Sequence, residues 1–116
     1  MQENENFDFE KGRGRKMYFI TCMSKCERDE RGWFDGGAIR CFGYRKTLES
    51  AEEALNKNIC DMHEYLYVYA VIEKLGPYIH PDVEEEYWFA WDEEKKGFFR
   101  IEKPEATYHT CNHALG

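Results

Sequence analysis

The sequence predicts an α+β domain, in which a mostly antiparallel sheet of four to five strands carries one helix on one face. Several short segments are rich in aromatic and β-branched residues and are separated by charged or glycine-containing loops, which is typical of strands. Between the second and third of these segments, apolar residues recur at the spacing of an amphipathic helix. The predicted order is therefore strand, strand, helix, strand, strand, strand (ββαβββ).

Two strands begin the predicted domain. They are predicted at Met17–Lys25 and Ala38–Lys46, because both segments are rich in strand-forming residues. The charged segment between them ends in two glycines, which indicates a long hairpin loop. In the second strand, alternation places Arg40, Phe42 and Tyr44 on one face, where a cation would lie beside two aromatic rings.

The helix is predicted to begin after Thr47, whose hydroxyl is a suitable N-cap. The apolar residues that follow keep helical spacing, so the helix is predicted to extend to about Glu64, with a weak point at 56–58. The residues with this spacing are Leu48, Ala51, Leu55, Ile59 and Met62.

The third strand is predicted at Tyr65–Leu75, where side chains must alternate between the two faces of the sheet. One face is aliphatic and is predicted to meet the helix, so the other face, rich in tyrosine, is predicted to point away from it. The aliphatic face consists of Leu66, Val68, Ala70 and Ile72, and the tyrosine face of Tyr65, Tyr67, Tyr69 and Val71.

The last two strands are predicted as a hairpin of Tyr87–Trp91 with Phe98–Ile101, joined by a charged loop that ends in Gly97. Alternation in the first of these strands places Trp88 on the face opposite Trp91, so aromatic rings occur on both faces. Such a strand is either buried on both faces or exposes one set of rings for binding.

The composition excludes several classes of protein. There are 16 Lys and Arg residues against 23 Asp and Glu residues, for a formal net charge of −7, which argues against a protein that follows the phosphates of nucleic acid. No apolar run is long enough to span a membrane and no signal-peptide pattern occurs, so the cytoplasm is the expected location. The five cysteines lack the spacings of a disulfide framework. Residues 1–16 are polar and are predicted to be a flexible arm before a single domain at 17–116.

The polar cluster Asn58, Asp61, His63 and Glu64 precedes the tyrosines. Its carboxylates are suited to accept hydrogen bonds from a ribose or a base edge, while aromatic rings stack on the base and an arginine holds a phosphate. The alternative is that these polar side chains only end the helix. The predicted ligand-binding residues are Arg40, Phe42, Tyr44, Asp61, His63, Glu64, Tyr67, Tyr69, Trp88 and Trp91.

Metal binding and catalysis are not predicted. His109, Cys111 and His113 alternate, but this spacing is unusual for a metal and a structural zinc site needs a fourth ligand. No cysteine lies in a nucleophile motif and no glycine-rich phosphate loop precedes a helix, so neither an enzyme nor a cofactor is expected.

The segment from Met17 to Gly116 resembles a family of small, uncharacterised proteins of bacteria and their phages. The residues that carry the resemblance are Phe42, Gly43, Ala51 to Ala54, Asn58, Asp61, Glu64, Tyr67, Ile72, Glu73, Trp88, Trp91 and Pro104. The resemblance implies a small accessory protein of mobile elements, such as an inhibitor of host immunity that acts by binding.

These observations together predict a non-catalytic binding domain that sequesters a nucleotide-derived signal. The alternative partner is a basic surface of a host defence protein, which the acidic segments 82–86 and 92–94 would contact. A small enzyme or metal-binding protein is the third possibility. Exposed aromatic residues also predict a homodimer, with the tyrosine face or the strand at 87–91 at or near the contact.

Overall fold

The computed structural model of the protein describes residues 17–76, 83–107 and 113–114. Within these residues, a five-stranded antiparallel sheet carries one α-helix, so the predicted fold class is confirmed. The predicted arm at 1–16 lies outside the described residues. The elements are β1 (Met17–Met23), β2 (Glu27–Arg28), β3 (Phe34–Asp35), β4 (Ile39–Arg45), α1 (Leu48–Asn56), β5 (Tyr69–Leu75), β6 (Val83–Asp92) and β7 (Gly97–Ile101), with 3-10 turns at Ile59–Asp61 and Glu105–Thr107.

The strand order in the sheet is β4-β1-β5-β6-β7, and β2 and β3 form a separate small hairpin. All neighbouring strands are antiparallel, and the predicted last hairpin is confirmed by the register that pairs Trp91 with Phe98. No helix of the described part of the chain is both long and apolar enough to cross a membrane.

The helix begins where the sequence predicts but ends earlier. The Thr47 hydroxyl accepts a hydrogen bond from the backbone N–H of Ser50 at 3.1 Å, as an N-cap does. The helix ends at Asn56, and the predicted extension to Glu64 is wrong. Asn58 adopts a left-handed conformation with φ of 51°, which terminates the helix and which asparagine tolerates better than most residues.

The main core lies between α1 and the sheet. Ala51 and Leu55 of the helix are fully buried against Ile72 of β5 and Phe89 of β6. A second, smaller cluster of Met23, Val71 and Trp88 lies on the opposite face of the sheet, under the β2–β3 hairpin. Trp88 is 2% exposed and Phe89 is 0% exposed, so the central part of β6 is buried on both faces.

The tyrosines do not form the predicted face. Strand β5 begins only at Tyr69, because Glu64 and Tyr65 have left-handed backbones that turn the chain before the strand. Tyr67 is 6% exposed and packs in the main core, whereas Tyr65 is 92% exposed. Leu66, which was predicted to meet the helix, is 46% exposed. The predicted alternation holds only from Tyr69 onward, where the backbone is extended.

A β-bulge in β4 overturns a second prediction. Cys41 pairs with Thr21 and Tyr44 with Phe19, so β4 contains one more residue than β1 over this stretch. Gly43 lies in the bulge with φ of 105°, a conformation that favours glycine. The extra residue turns Tyr44 to the face of Phe19, and the prediction that it shares a face with Phe42 is wrong.

Candidate functional site

The segment between α1 and β5 is a compact series of turns, which backbone hydrogen bonds and the side chain of Asn58 hold together. The Asn58 side-chain oxygen accepts a hydrogen bond from the backbone N–H of His63 at 2.9 Å, and its amide nitrogen donates to Asp61 at 3.1 Å. Left-handed backbones at non-glycine residues are costly, roughly 1–3 kcal/mol each, so this segment depends on such contacts. The left-handed residues are Asn58, Cys60, Asp61, Glu64 and Tyr65.

His63 attaches this segment to the sheet. Its Nδ1 lies 2.7 Å from the backbone oxygen of Tyr67, and because a carbonyl only accepts, Nδ1 carries the hydrogen of this bond. The imidazole ring stacks on the indole of Trp91, with ring centres 3.7 Å apart and planes inclined by 2°. The loop before β5 and the end of β6 therefore form one aromatic surface.

The turn between β6 and β7 supplies charge beside this surface. The Trp91 indole N–H donates to Glu93 at 2.9 Å, and Lys96 forms an ion pair with the other carboxylate oxygen of Glu93. These hydrogen bonds, from Lys96 first and then from Trp91, hold the pKa of Glu93 below its ordinary value. Glu93 therefore stays ionised at neutral pH.

These two segments enclose a groove with a volume of about 150 Å³, which we call the loop groove. Ligand sites for drug-sized molecules usually measure 300–1,000 Å³, so the loop groove is suited to a single ring or a similar small group. Its walls combine flat aromatic surface with carboxylates, an amide and an ammonium group. The lining residues are Asn58, Asp61, His63, Tyr65, Trp91, Glu93 and Lys96.

The loop groove brings together only part of the predicted site. Asp61, His63 and Trp91 line it. The predicted residues that do not line it are Arg40, Phe42, Tyr44, Glu64, Tyr67, Tyr69 and Trp88. The predicted ligand-binding residues did not include three residues that line the groove, Tyr65, Glu93 and Lys96. Glu93 lies two residues after Trp91 in a charged hairpin turn, and this position could have indicated that it lies beside the Trp91 ring.

Arg40, which was predicted to hold a phosphate, does not line the loop groove. Its guanidinium forms an ion pair with Glu64 at 2.9 Å and lies over the Phe42 ring, 4.6 Å from the ring centre. Both Arg40 and Glu64 are partly exposed, so this pair contributes little to stability. Glu64 does not line the loop groove either.

A second polar cluster lies on the other face of the sheet. Glu73 is 1% exposed, and its carboxylate accepts backbone N–H bonds from His113 at 2.9 and 2.8 Å and from Ala114 at 3.0 Å. Burial raises the pKa of Glu73 to about 7, although these N–H bonds act in the opposite direction. The neighbouring Glu86 accepts hydrogen bonds from Trp88 at 2.7 Å and from Lys103 at 3.2 Å.

Of the three alternating residues considered as metal ligands, only His113 lies within the described ranges, because His109 and Cys111 lie outside them. Its ring contacts Phe34 at 5.2 Å and Trp88 at 5.4 Å between ring centres. No group of three or more potential metal ligands occurs among residues 17–76, 83–107 and 113–114.

Comparison with known proteins gives no match, since no family model, no curated protein and no solved structure is significantly similar to this chain. The resemblance to small bacterial and phage proteins, the absence of catalysis and the homodimer stay predictions. Two of the residues predicted at or near the dimer contact, Tyr67 and Trp88, are buried within the single chain.

Proposed function

We propose that the protein is a binding domain that holds a small ligand with a flat ring in the loop groove. The observation that carries this proposal is the stack of His63 on Trp91 at 3.7 Å, with the exposed ring of Tyr65 beside it. Aromatic rings stack on planar ligands without requiring a particular pattern of hydrogen bonds, and such a contact is worth about 1–3 kcal/mol per ring.

The polar groups of the groove favour a ligand that donates hydrogen bonds. Asp61 and Glu93 present carboxylate oxygens, which accept from ribose hydroxyls and from the N–H groups of a base. A nucleoside has both a flat ring and such donors. Within this proposal, sequestering a nucleotide-derived signal is the narrower function, and the groove would hold the base of that signal.

Calorimetric titration with adenosine, guanosine, cytidine and uridine tests the proposal. Tyr65→Ala is the informative variant, because this side chain is 92% exposed and its removal should leave the fold intact. It should weaken binding of the preferred nucleoside by about 1–3 kcal/mol.

Trp33→Ala is the matched control. Trp33 is 67% exposed but lies between β2 and β3, outside the loop groove. Its removal should leave affinity unchanged. Equal losses in the two variants, or no heat of binding with any of the four nucleosides at millimolar concentration, would contradict the proposal.

The overall charge favours a second candidate function, binding to a basic surface of another protein. The formal net charge is −7, and electrostatic attraction between exposed charges weakens as salt rises. Capture of a basic partner should therefore fall steeply between low and high ionic strength, whereas ligand binding in the groove should change less. An interaction that is insensitive to salt would count against this candidate.

A further inference from the structure

The charges that line the loop groove do not balance. Glu93 is paired with Lys96, so these two charges largely offset each other. The described partner of the Asp61 carboxylate is the neutral amide of Asn58, at 3.1 Å. One carboxylate of the groove therefore lacks a cation among the described residues.

The aromatic walls of the loop groove favour a positively charged ligand, as this carboxylate does. The face of an aromatic ring carries a negative potential and attracts cations, and tryptophan does so most strongly. His63 covers one face of Trp91, while Tyr65 keeps most of its ring in solvent. An incoming positive charge would meet aromatic faces and the carboxylate of Asp61 together.

From this arrangement we infer that the loop groove selects a flat ring that carries a positive charge, such as an alkylated pyridinium or an alkylated base, over a neutral or anionic ring of the same shape. This inference rests on the proposed function, since it concerns the same groove. It adds that a negative charge directly on the ring, such as a carboxylate, disfavours binding.

A series of three ligands of nearly the same shape tests the inference. Nicotinate is an anion, nicotinamide is neutral and 1-methylnicotinamide is a permanent cation. Titration of the full chain at low ionic strength should give the tightest binding for 1-methylnicotinamide, about tenfold tighter than nicotinamide, with nicotinate weakest. Raising the salt concentration should reduce the difference between the three.

The outcomes separate this inference from the proposed function. Equal binding of the three ligands, or tightest binding of nicotinate, would overturn the inference and leave a ring-binding groove in place. The absence of binding by all three ligands and by the four nucleosides would overturn both.

Two variants locate the selectivity. Asp61→Asn keeps an oxygen that accepts from Asn58 but removes the charge, so it should abolish most of the preference for the cation. Asp35→Asn is its control, because Asp35 lies in β3 and pairs with Lys25 at 2.9 Å. An unchanged preference in Asp61→Asn would overturn the inference.

Lys96→Gln acts in the opposite direction, since it leaves Glu93 without its paired ammonium. This variant should strengthen the preference for 1-methylnicotinamide severalfold. Lys95→Gln is the matched control, because Lys95 lies over the Phe99 ring and does not line the groove. A weaker preference in Lys96→Gln than in the native protein would count against the inference.

Discussion

Glu73 should make the folded protein less stable as pH rises towards neutrality. Its carboxyl is 1% exposed, and burial raises its pKa from 4.5 to about 7. Between these two pH values the folded protein keeps a proton on Glu73 that the unfolded chain has lost, so the free energy of unfolding falls as pH increases. Each pKa unit corresponds to about 1.4 kcal/mol, which gives a total decline of about 3 kcal/mol from this group.

Glu73→Gln should remove this decline, because the amide cannot ionise. Urea unfolding of both proteins, followed by circular dichroism at pH 4.5, 6 and 8, measures the effect. Relative to the variant, the native protein should lose about 3 kcal/mol between the lowest and highest pH. Glu102→Gln removes one exposed carboxylate just after β7 and should keep the native pH dependence.

The charged groups around Glu73 are Glu86, Lys103 and His113. Burial lowers the pKa of His113, so the contribution of His113 to stability increases as pH rises. This change is opposite in sign to that from Glu73. His113 is present in both proteins, and its contribution therefore largely cancels in the difference. If the native protein and Glu73→Gln show the same pH profile within about 1 kcal/mol, the reasoning about this buried carboxyl is wrong.

Two further predictions concern packing. Tyr67→Ala should destabilise the protein by about 3–5 kcal/mol, since the ring is buried in the main core, whereas Leu66→Ala should destabilise it by less than about 1 kcal/mol. Thermal unfolding of both variants checks this prediction. A larger loss of stability in Leu66→Ala than in Tyr67→Ala would contradict the core assignment. Gly97→Ala should destabilise by more than about 1 kcal/mol, because a Cβ there would lie 2.0 Å from the backbone oxygen of Asn56; a melting temperature equal to the native value would refute it.

Much of the fold could be predicted because its strands and its helix follow simple periodicities. The Trp91–Phe98 hairpin has alternating side chains and a glycine at the end of its turn, and both signals are local. The helix start is equally local, since Thr47 needs only its own hydroxyl and the next turn of backbone. Such features depend on neighbouring residues, so the sequence contains the information directly.

The parts that could not be predicted depend either on unusual backbone conformations or on contacts that are distant in sequence. Glu64 and Tyr65 adopt left-handed backbone conformations, although neither is a glycine, the residue that usually indicates such a conformation in a sequence. These conformations interrupt the alternation of side chains on which the predicted tyrosine face was based. The bulge at Gly43 is set by pairing with β1, and a one-residue shift reverses the faces of the residues that follow. The loop groove needs His63 to meet Trp91 across the fold, which only the three-dimensional structure shows.

The most direct test of the proposed function follows the indole N–H signals of the three tryptophans by NMR during titration with 1-methylnicotinamide and, separately, with a nucleoside. Trp91 lines the loop groove, whereas Trp33 lies in the β2–β3 loop and Trp88 is buried on the other face of the sheet. The proposed function predicts that the Trp91 signal shifts in a saturable way while those of Trp33 and Trp88 stay in place. A saturable shift of Trp33 or Trp88 with Trp91 unchanged, or no shift of any of the three at millimolar ligand, would contradict it.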